Sequence, residues 1–230
     1  VIAAGADWVK MRGSTGGFDD VTQLQTFTFE EMKAAVDASH ALGKKIAIHS
    51  YGPGGARDAV RAGVDSLEHG ADLEDETIAE MVRRNTYYSP TIDHNQYYIE
   101  NADTVYHFPA GSKERLRDYI RRNVDTAQKA FRAGVRIIMG SDAVYNGWGL
   151  NTRELDWFVK IGMTPEQALK TATTTPAAML GMEKSLGAVA PGFLADIVAV
   201  EGDPLADISA VSKRENVRWV MKAGQMVVDK

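Results

Sequence analysis

The sequence contains no cysteine, and this absence removes several kinds of chemistry at once. A chain without thiols has no disulfide, no thiolate metal site and no cysteine nucleophile. Apolar runs of membrane-spanning length are also missing, and so is a secretory signal pattern. The chain opens on Val1 rather than on Met, so we expect further sequence upstream of it. The compartment is therefore left open between cytoplasm and periplasm.

Positive charge is also scarce. The chain has 26 Lys and Arg against 31 Asp and Glu, which gives a formal net charge of −5. Neither a basic patch nor a basic amphipathic helix is visible, so we expect no nucleic-acid partner and no membrane partner. With 44% hydrophobic residues over 230 positions, the chain can bury a core of one large or two smaller domains. A homo-oligomer is left open.

Five short apolar runs alternate with helical patterns along residues 1–183. The predicted strands end near Lys10, His49, His69, Ser89 and Asp142. This alternation is typical of a parallel α/β barrel, in which the carboxyl ends of the strands converge on the active site. A closed barrel of this type has eight strands. We therefore predict an α/β fold that is a partial TIM (β/α)8 barrel of about five C-terminal βα units.

Two segments depart from this alternation. Residues 184–230 have no helical period but contain three predicted strands, 196–200, 217–222 and 225–229, and we assign them to part of a small β-sandwich. The domain boundary is thus placed between residues 183 and 184. Residues 90–111 carry aromatic and polar side chains without a clear period, which predicts a long loop or lid.

Four residues at predicted strand ends are candidates for metal chemistry. His49 and His69 carry imidazoles, which are good zinc ligands, and Asp142 can both bind a metal and transfer a proton. Lys10 is unexpected in such a set because an ammonium repels a cation. A lysine amine that has added carbon dioxide, however, becomes a carbamate anion able to bridge two cations. We expect the four side chains to converge in space.

Three further residues are weaker candidates for contact with a substrate. Tyr51 lies two residues after His49, Arg57 lies at the start of the following helix and could pair with a carboxylate, and His94 lies in the predicted loop. Each has an ordinary alternative, namely packing for Tyr51 and a place on the surface for the other two.

The ordered motifs resemble the amidohydrolase superfamily of metal-dependent hydrolases, and within it the imidazolonepropionase-like and Xaa-Pro dipeptidase (prolidase-like) group. The resemblance covers nearly the whole chain. It is carried by five segments in order: DWVKMRGSTGG, IAIHSYGPGGARDAVRAGVDSLEHG, IIMGSDA, MTPEQALKTATTTPAAMLG and LGAVAPGFLADIVAVEGDPLADI.

The resemblance implies a role for each metal candidate. Lys10 resembles the carboxylated lysine that bridges two metals, His49 and His69 resemble the ligands of the second metal, and Asp142 resembles the aspartate that binds the first metal and acts as general acid and base. The His-x-His pair of the family's first strand has no counterpart in these 230 residues. The chain thus resembles the C-terminal part of such an enzyme, and we expect it to be poorly stable and inactive by itself.

The function implied by the resemblance is metal-dependent hydrolysis of carbon–nitrogen bonds. The expected substrates are small amides such as Xaa-Pro dipeptides or N-acyl amino acids, attacked by a metal-bound hydroxide at a centre of two divalent ions, expected to be Zn²⁺. Three alternatives stay open: a cyclic-amide hydrolase of the imidazolonepropionase type, a phosphotriester hydrolase, and a non-catalytic truncated or degenerate barrel.

Overall fold

The computed structural model describes residues 2–16, 24–144 and 147–230. The contacts between residues divide the chain into two compact units, Val1–Ile137 and Ile138–Lys230, and each is described by itself. The boundary expected at residues 183 and 184 stays a prediction. Within the described residues, none of the helices is both long enough and apolar enough to cross a bilayer.

The first unit is built on a five-stranded parallel sheet with the order β1-β2-β3-β4-β5, which follows the chain. The predicted parallel α/β architecture is confirmed for this unit. The strands are β1 Trp8–Arg12, β2 Lys45–Ser50, β3 Ser66–His69, β4 Tyr87–Ser89 and β5 Arg136–Ile137.

Five helices connect or follow these strands: α1 Phe29–Ala41, α2 Pro53–Ala62, α3 Asp75–Arg84, α4 Ile92–Asn101 and α5 Ser112–Ala133. Local sequence explains their ends. Thr28 and Glu31 form a capping box at the start of α1, in which each side chain accepts from the other residue's backbone N–H. Helices α2 and α5 stop at Gly63 and Gly134, which have φ of 98° and 89°, a conformation that glycine adopts without steric cost.

The prediction of a long loop over residues 90–111 is wrong. Helix α4 occupies most of its first half and is followed by a π-helix, Ala102–Tyr106. Six of the ten residues of α4 are buried, on several sides of the helix, so its sequence lacks the one-sided apolar stripe that predicts a surface helix. Aromatic packing holds the segment together: the Tyr98 ring centroid lies 5.0 Å from that of Tyr106 and 5.8 Å from that of Phe108.

In its described residues the second unit contains four α-helices and a small antiparallel sheet. The helices are α6 Glu154–Lys160, α7 Pro165–Ala172, α8 Thr174–Met179 and α9 Ser209–Ser212. The sheet has the order β6-β7-β8, with β6 Ile197–Val200, β7 Val217–Lys222 and β8 Gln225–Asp229. Its three strands agree with the sequence prediction. Ala223 and Gly224, both at positive φ, form the two-residue hairpin loop between β7 and β8.

Strand β5 is shorter than the predicted apolar run 135–139. Its ladder with β4 ends at Ile137. Two residues later, the Met139 N–H donates to the Thr171 carbonyl at the end of α7, at 2.8 Å, rather than to a strand. The apolar run therefore leaves the sheet before it reaches Asp142.

Candidate metal centre

The two histidines lie at the carboxyl ends of neighbouring parallel strands. His49 on β2 faces Glu68 in the β2–β3 register, and His69 is the last residue of β3. Strict alternation along β3 would send Glu68 and His69 to opposite faces. His69 has φ of 66°, which breaks the alternation, and its ring centroid lies 4.5 Å from that of His49, with the rings in an edge-to-face arrangement. The backbone turn thus brings the two imidazoles together.

Thr91 orients the ring of His69. Its hydroxyl lies 2.6 Å from His69 Nδ1 and 2.8 Å from the Pro90 carbonyl; when the hydroxyl donates to that carbonyl, it accepts from a protonated Nδ1. In a neutral ring with the proton on Nδ1, Nε2 keeps its lone pair. An imidazole oriented through one nitrogen by a hydrogen bond is the usual arrangement of a metal-binding histidine.

Both imidazoles are held in the neutral form that binds metals. Burial, followed by the positive charges of Arg12 and Lys10, lowers the pKa of His49 from 6.5 to about 4. The ring of His69 is more deeply buried, and burial followed by the charge of His49 lowers its pKa well below 6.5. The Nε2 atom of His49 is buried without a hydrogen-bond partner among the described residues. A buried ring nitrogen without a partner is costly unless a ligand fills the position.

Lys10 lies near the two histidines, and its side chain forms an ion pair with the carboxylate of Glu68. Its position on β1 is level with Ala47 on β2, and its charge lowers the pKa of both histidines. Its ammonium forms an ion pair with Glu68, whose other carboxylate oxygen accepts from the Ser66 hydroxyl at 3.0 Å. The structure therefore brings Lys10, His49 and His69 together, with the side chain of Lys10 paired to Glu68.

Asp142 belongs to the second unit, so its convergence with the other three residues stays a prediction. Its side chain is exposed and its φ is 44°. Across the described ranges, no three His, Cys, Asp or Glu side chains are grouped so as to hold a metal by themselves. Within those ranges the two imidazoles by themselves are therefore an incomplete ligand set.

Tyr51 is a buried residue whose ring packs against that of His69. It is only 1% exposed, and its ring lies 4.8 Å from that of His69, nearly parallel, and 4.6 Å from that of Tyr119. Its backbone N–H donates to the Ser14 hydroxyl at 2.9 Å, and a Cβ added at Gly16 would lie 2.5 Å from its ring. The loop after β1 therefore clamps this ring in place. The contact of Tyr51 with a substrate stays a prediction.

The other two substrate candidates lie in different surroundings. His94 is buried on α4, edge-on to Tyr98 at 4.6 Å between ring centroids, and its charge acts on both candidate metal-binding histidines. Arg57 lies in the groove between α2 and α3, where its Nη1 is 3.2 Å from Glu74 Oε1. The guanidinium of Arg57 is thus already paired with a carboxylate of the chain. A role of Arg57 in binding a substrate stays a prediction.

Three residues near the site were not singled out from the sequence. Arg12 lies two residues after Lys10 in the same strand, and a period of two puts both on one face, so this signal was present. Glu68 precedes His69 and Thr91 follows Pro90, and only the three-dimensional structure shows that they contact Lys10 and His69.

The chain belongs to the amidohydrolase family, whose sequence model matches residues 3–227. A solved Xaa-Pro dipeptidase with bound methionine in the active site is 36% identical, with a TM-score of 0.86, over 98% of this chain and 55% of that one. Ochratoxinase from Aspergillus niger is 29% identical over 98% of this chain and 47% of its own length. Imidazolonepropionase from Symbiobacterium thermophilum is 26% identical over 92% of this chain and 47% of its own length. The chain thus spans about half the length of the relatives that it matches.

Family membership and the geometry agree on a divalent cation. Amidohydrolases generally bind divalent metals. The donor set found here fits such an ion, because two neutral imidazoles meet at adjacent strand ends and one of them has a buried, unpartnered nitrogen.

Proposed function

We propose that this chain supplies part of the metal centre of a hydrolase that cleaves the carbon–nitrogen bond of small amides, such as Xaa-Pro dipeptides and N-acyl amino acids. The observation that carries the proposal is the pair of neutral imidazoles at the ends of β2 and β3. The similarity to a solved Xaa-Pro dipeptidase supports the choice of bond. The parallel sheet is, in this proposal, part of a (β/α)8 barrel, which its five strands in chain order support.

The chain's own residues take distinct roles in the reaction. His49 and His69 would hold the cation, each through its Nε2 atom. Thr91 is hydrogen-bonded to Nδ1 of His69, which leaves Nε2 of that ring for the cation. The bound cation, expected to be Zn²⁺, would polarise the amide carbonyl and lower the pKa of a water molecule. Asp142 would accept a proton and return it to the leaving nitrogen.

Lys10 requires a change of state to serve as a ligand. Its ammonium must lose one proton, and the resulting amine must add carbon dioxide and lose a second proton, which breaks the ion pair with Glu68 and leaves a carbamate anion. Carbon-13 NMR in labelled bicarbonate tests this step. A carbamate resonance should appear when Zn²⁺ is added to the wild-type protein and should be missing from the Lys10→Arg variant. Equal spectra for the two proteins would remove Lys10 from the ligand set.

Cobalt binding tests the metal centre directly. Co²⁺ reports its coordination by visible absorption, so the wild-type protein should give a titratable band that His49→Gln and His69→Gln each weaken strongly. The matched control is His40→Gln, because His40 is an exposed histidine of α1 that pairs with Asp65 at 2.8 Å. A band that survives in the His49→Gln/His69→Gln double variant, or disappears with His40→Gln, would refute the proposed centre.

Hydrolysis assays on the complete, metal-loaded enzyme then separate the substrate classes. Release of proline from Xaa-Pro dipeptides or of acid from N-acyl amino acids supports the main proposal. The similarity to imidazolonepropionase favours a cyclic amide as second candidate, and turnover of cyclic amides alone would select it. Metal binding without turnover of either class would favour a non-catalytic domain.

A further inference from the structure

The face of β1 that carries Lys10 has a second cation. Arg12 lies two residues further along the strand, and alternation places both side chains on the same side of the sheet. In the β1–β2 register Arg12 is directly opposite His49. The guanidinium is therefore attached level with the first of the two candidate metal-binding histidines.

This guanidinium is held in one orientation. Its Nε donates to the Ser14 carbonyl at 3.3 Å and its Nη2 donates to the Gly16 carbonyl at 2.7 Å, both in the loop that follows β1. A guanidinium carries more N–H donors than these two bonds use. Arg12 is also exposed, so a molecule arriving from solvent can reach it. A side chain that is fixed before binding loses little entropy when a ligand arrives.

The charge of Arg12 acts at the candidate metal centre. It lowers the pKa of both His49 and His69, and at His49 it ranks ahead of Lys10. The neighbouring cations are committed elsewhere: Lys10 pairs with Glu68, and Arg57 pairs with Glu74 on the α2–α3 side. The two bonds that Arg12 makes to its loop, in contrast, go to backbone carbonyls, and neither partner among the described residues is a carboxylate.

We propose that Arg12 binds the carboxylate of the substrate, so that the site selects N-acyl amino acids and dipeptides over amides without a negative charge. A planar guanidinium matches a carboxylate with two parallel hydrogen bonds, a geometry that a lysine cannot reproduce. The proposal rests on the proposed amide hydrolysis and adds the residue that recognises the leaving amino acid.

Two probes that differ only in charge test this assignment. N-acetyl-L-proline and N-acetyl-L-prolinamide are titrated calorimetrically into the Zn²⁺-loaded protein. We expect the wild-type protein to prefer the acid by at least about tenfold, as hydrogen bonds to a charged group provide. Arg12→Gln should remove this preference, Arg12→Lys should retain part of it, and Arg61→Gln, at an exposed arginine of α2 that pairs with Asp58, should leave it intact. Zinc content should be the same in all four proteins.

The outcomes separate the two proposals. A loop disturbed by the Arg12→Gln substitution would weaken both probes alike and leave their ratio unchanged, and an unchanged ratio overturns the assignment. An acid preference in Arg12→Gln equal to that of wild type would mean that the carboxylate binds the metal or another residue. A wild-type protein that binds zinc and prefers neither probe also overturns it. Failure of the wild-type protein to bind zinc or cobalt would instead refute the proposed function itself.

Discussion

Acid should destabilise the metal-free protein through the two buried imidazoles at the strand ends. The perturbation is a shift from about pH 7.5 to about pH 4.5 in the presence of a chelator. In the unfolded chain a histidine titrates near 6.5, whereas the pKa of His49 in the folded protein is about 4. Because the folded-state pKa is the lower one, the unfolded chain takes up the proton first. Stability is complete above about pH 6.5 and falls as the pH drops toward 4.

The magnitude follows from proton linkage. At about pH 4.5 the difference between the two pKa values of His49 corresponds to about 2.5 kcal/mol. We expect about 2 kcal/mol in practice, because the ring is partly exposed and solvent screens part of the effect. His69 contributes in the same direction, since its pKa is also lowered on folding.

Urea denaturation followed by tryptophan fluorescence measures this loss. Wild-type protein should lose about 2 kcal/mol more than His49→Gln between the two pH values. The His40→Gln variant is the control for loss of a histidine outside the site, and it should keep the acid-induced loss of stability that His49→Gln removes. Identical pH dependence for wild type and His49→Gln would show that His49 is not held neutral by burial, and the argument for a vacant lone pair would fail with it.

Three other substitutions test separate parts of the structure. A Cβ at Gly55 would lie 2.7 Å from a backbone carbonyl oxygen of the loop after β1. Gly55→Ala should therefore lower the free energy of unfolding by about 1–3 kcal/mol, as measured by thermal melting. Gly54→Ala is the control and should cost much less, because its Cβ would meet only a side-chain oxygen at 3.3 Å. Thr91→Val removes the acceptor for His69 Nδ1 and should weaken Co²⁺ affinity about 10- to 100-fold, while Thr91→Ser should keep most of it; equal affinities would refute the orienting role. In the complete enzyme, Asp142→Asn should lower turnover by about 100-fold or more with a smaller fall in metal content, and near-normal turnover would exclude proton transfer by this residue.

Secondary structure could be predicted from the sequence alone where local sequence signals and tertiary contacts favour the same element. The apolar run 46–48 bounded by turn residues is strand β2, and the glycine that follows the next helical pattern ends α2 at Gly63. The capping pair Thr28 and Glu31 begins α1. In these places the period, the cap and the stop signal all indicate the same element.

Elements and contacts that depend on residues distant in the chain could not be predicted from the sequence. Helix α4 is buried on several sides and is stabilised by aromatic residues that come later in the chain, so no periodic stripe marks it. The partner of Lys10 was likewise hidden, because Glu68 lies 58 residues away and reaches it only across the sheet. Sequence reasoning could place the two histidines at strand ends but could not show that a backbone turn at His69 makes their rings meet.

Backbone strain marks the end of β3 and the loop after β4. His69 and Thr91 both have positive φ, a conformation that non-glycine residues rarely adopt, and β-branched Thr91 least of all. Each residue in such a conformation costs on the order of 1 kcal/mol or more, so the surrounding structure must impose it. His69 is the last residue of β3, and Thr91 lies two residues beyond the end of β4.

At His69 the surrounding contacts that impose the turn are visible. The amide of Asn123 on α5 donates to the Gly70 carbonyl at 2.7 Å, and the Tyr88 hydroxyl donates to the same oxygen at 2.9 Å. These bonds hold the residue after His69 while Thr91 holds its ring. A strand that simply needed to end would not require three partners from two other elements and a neighbouring loop. The strained turn fixes the position of the His69 imidazole, and a fixed position is what a metal ligand requires.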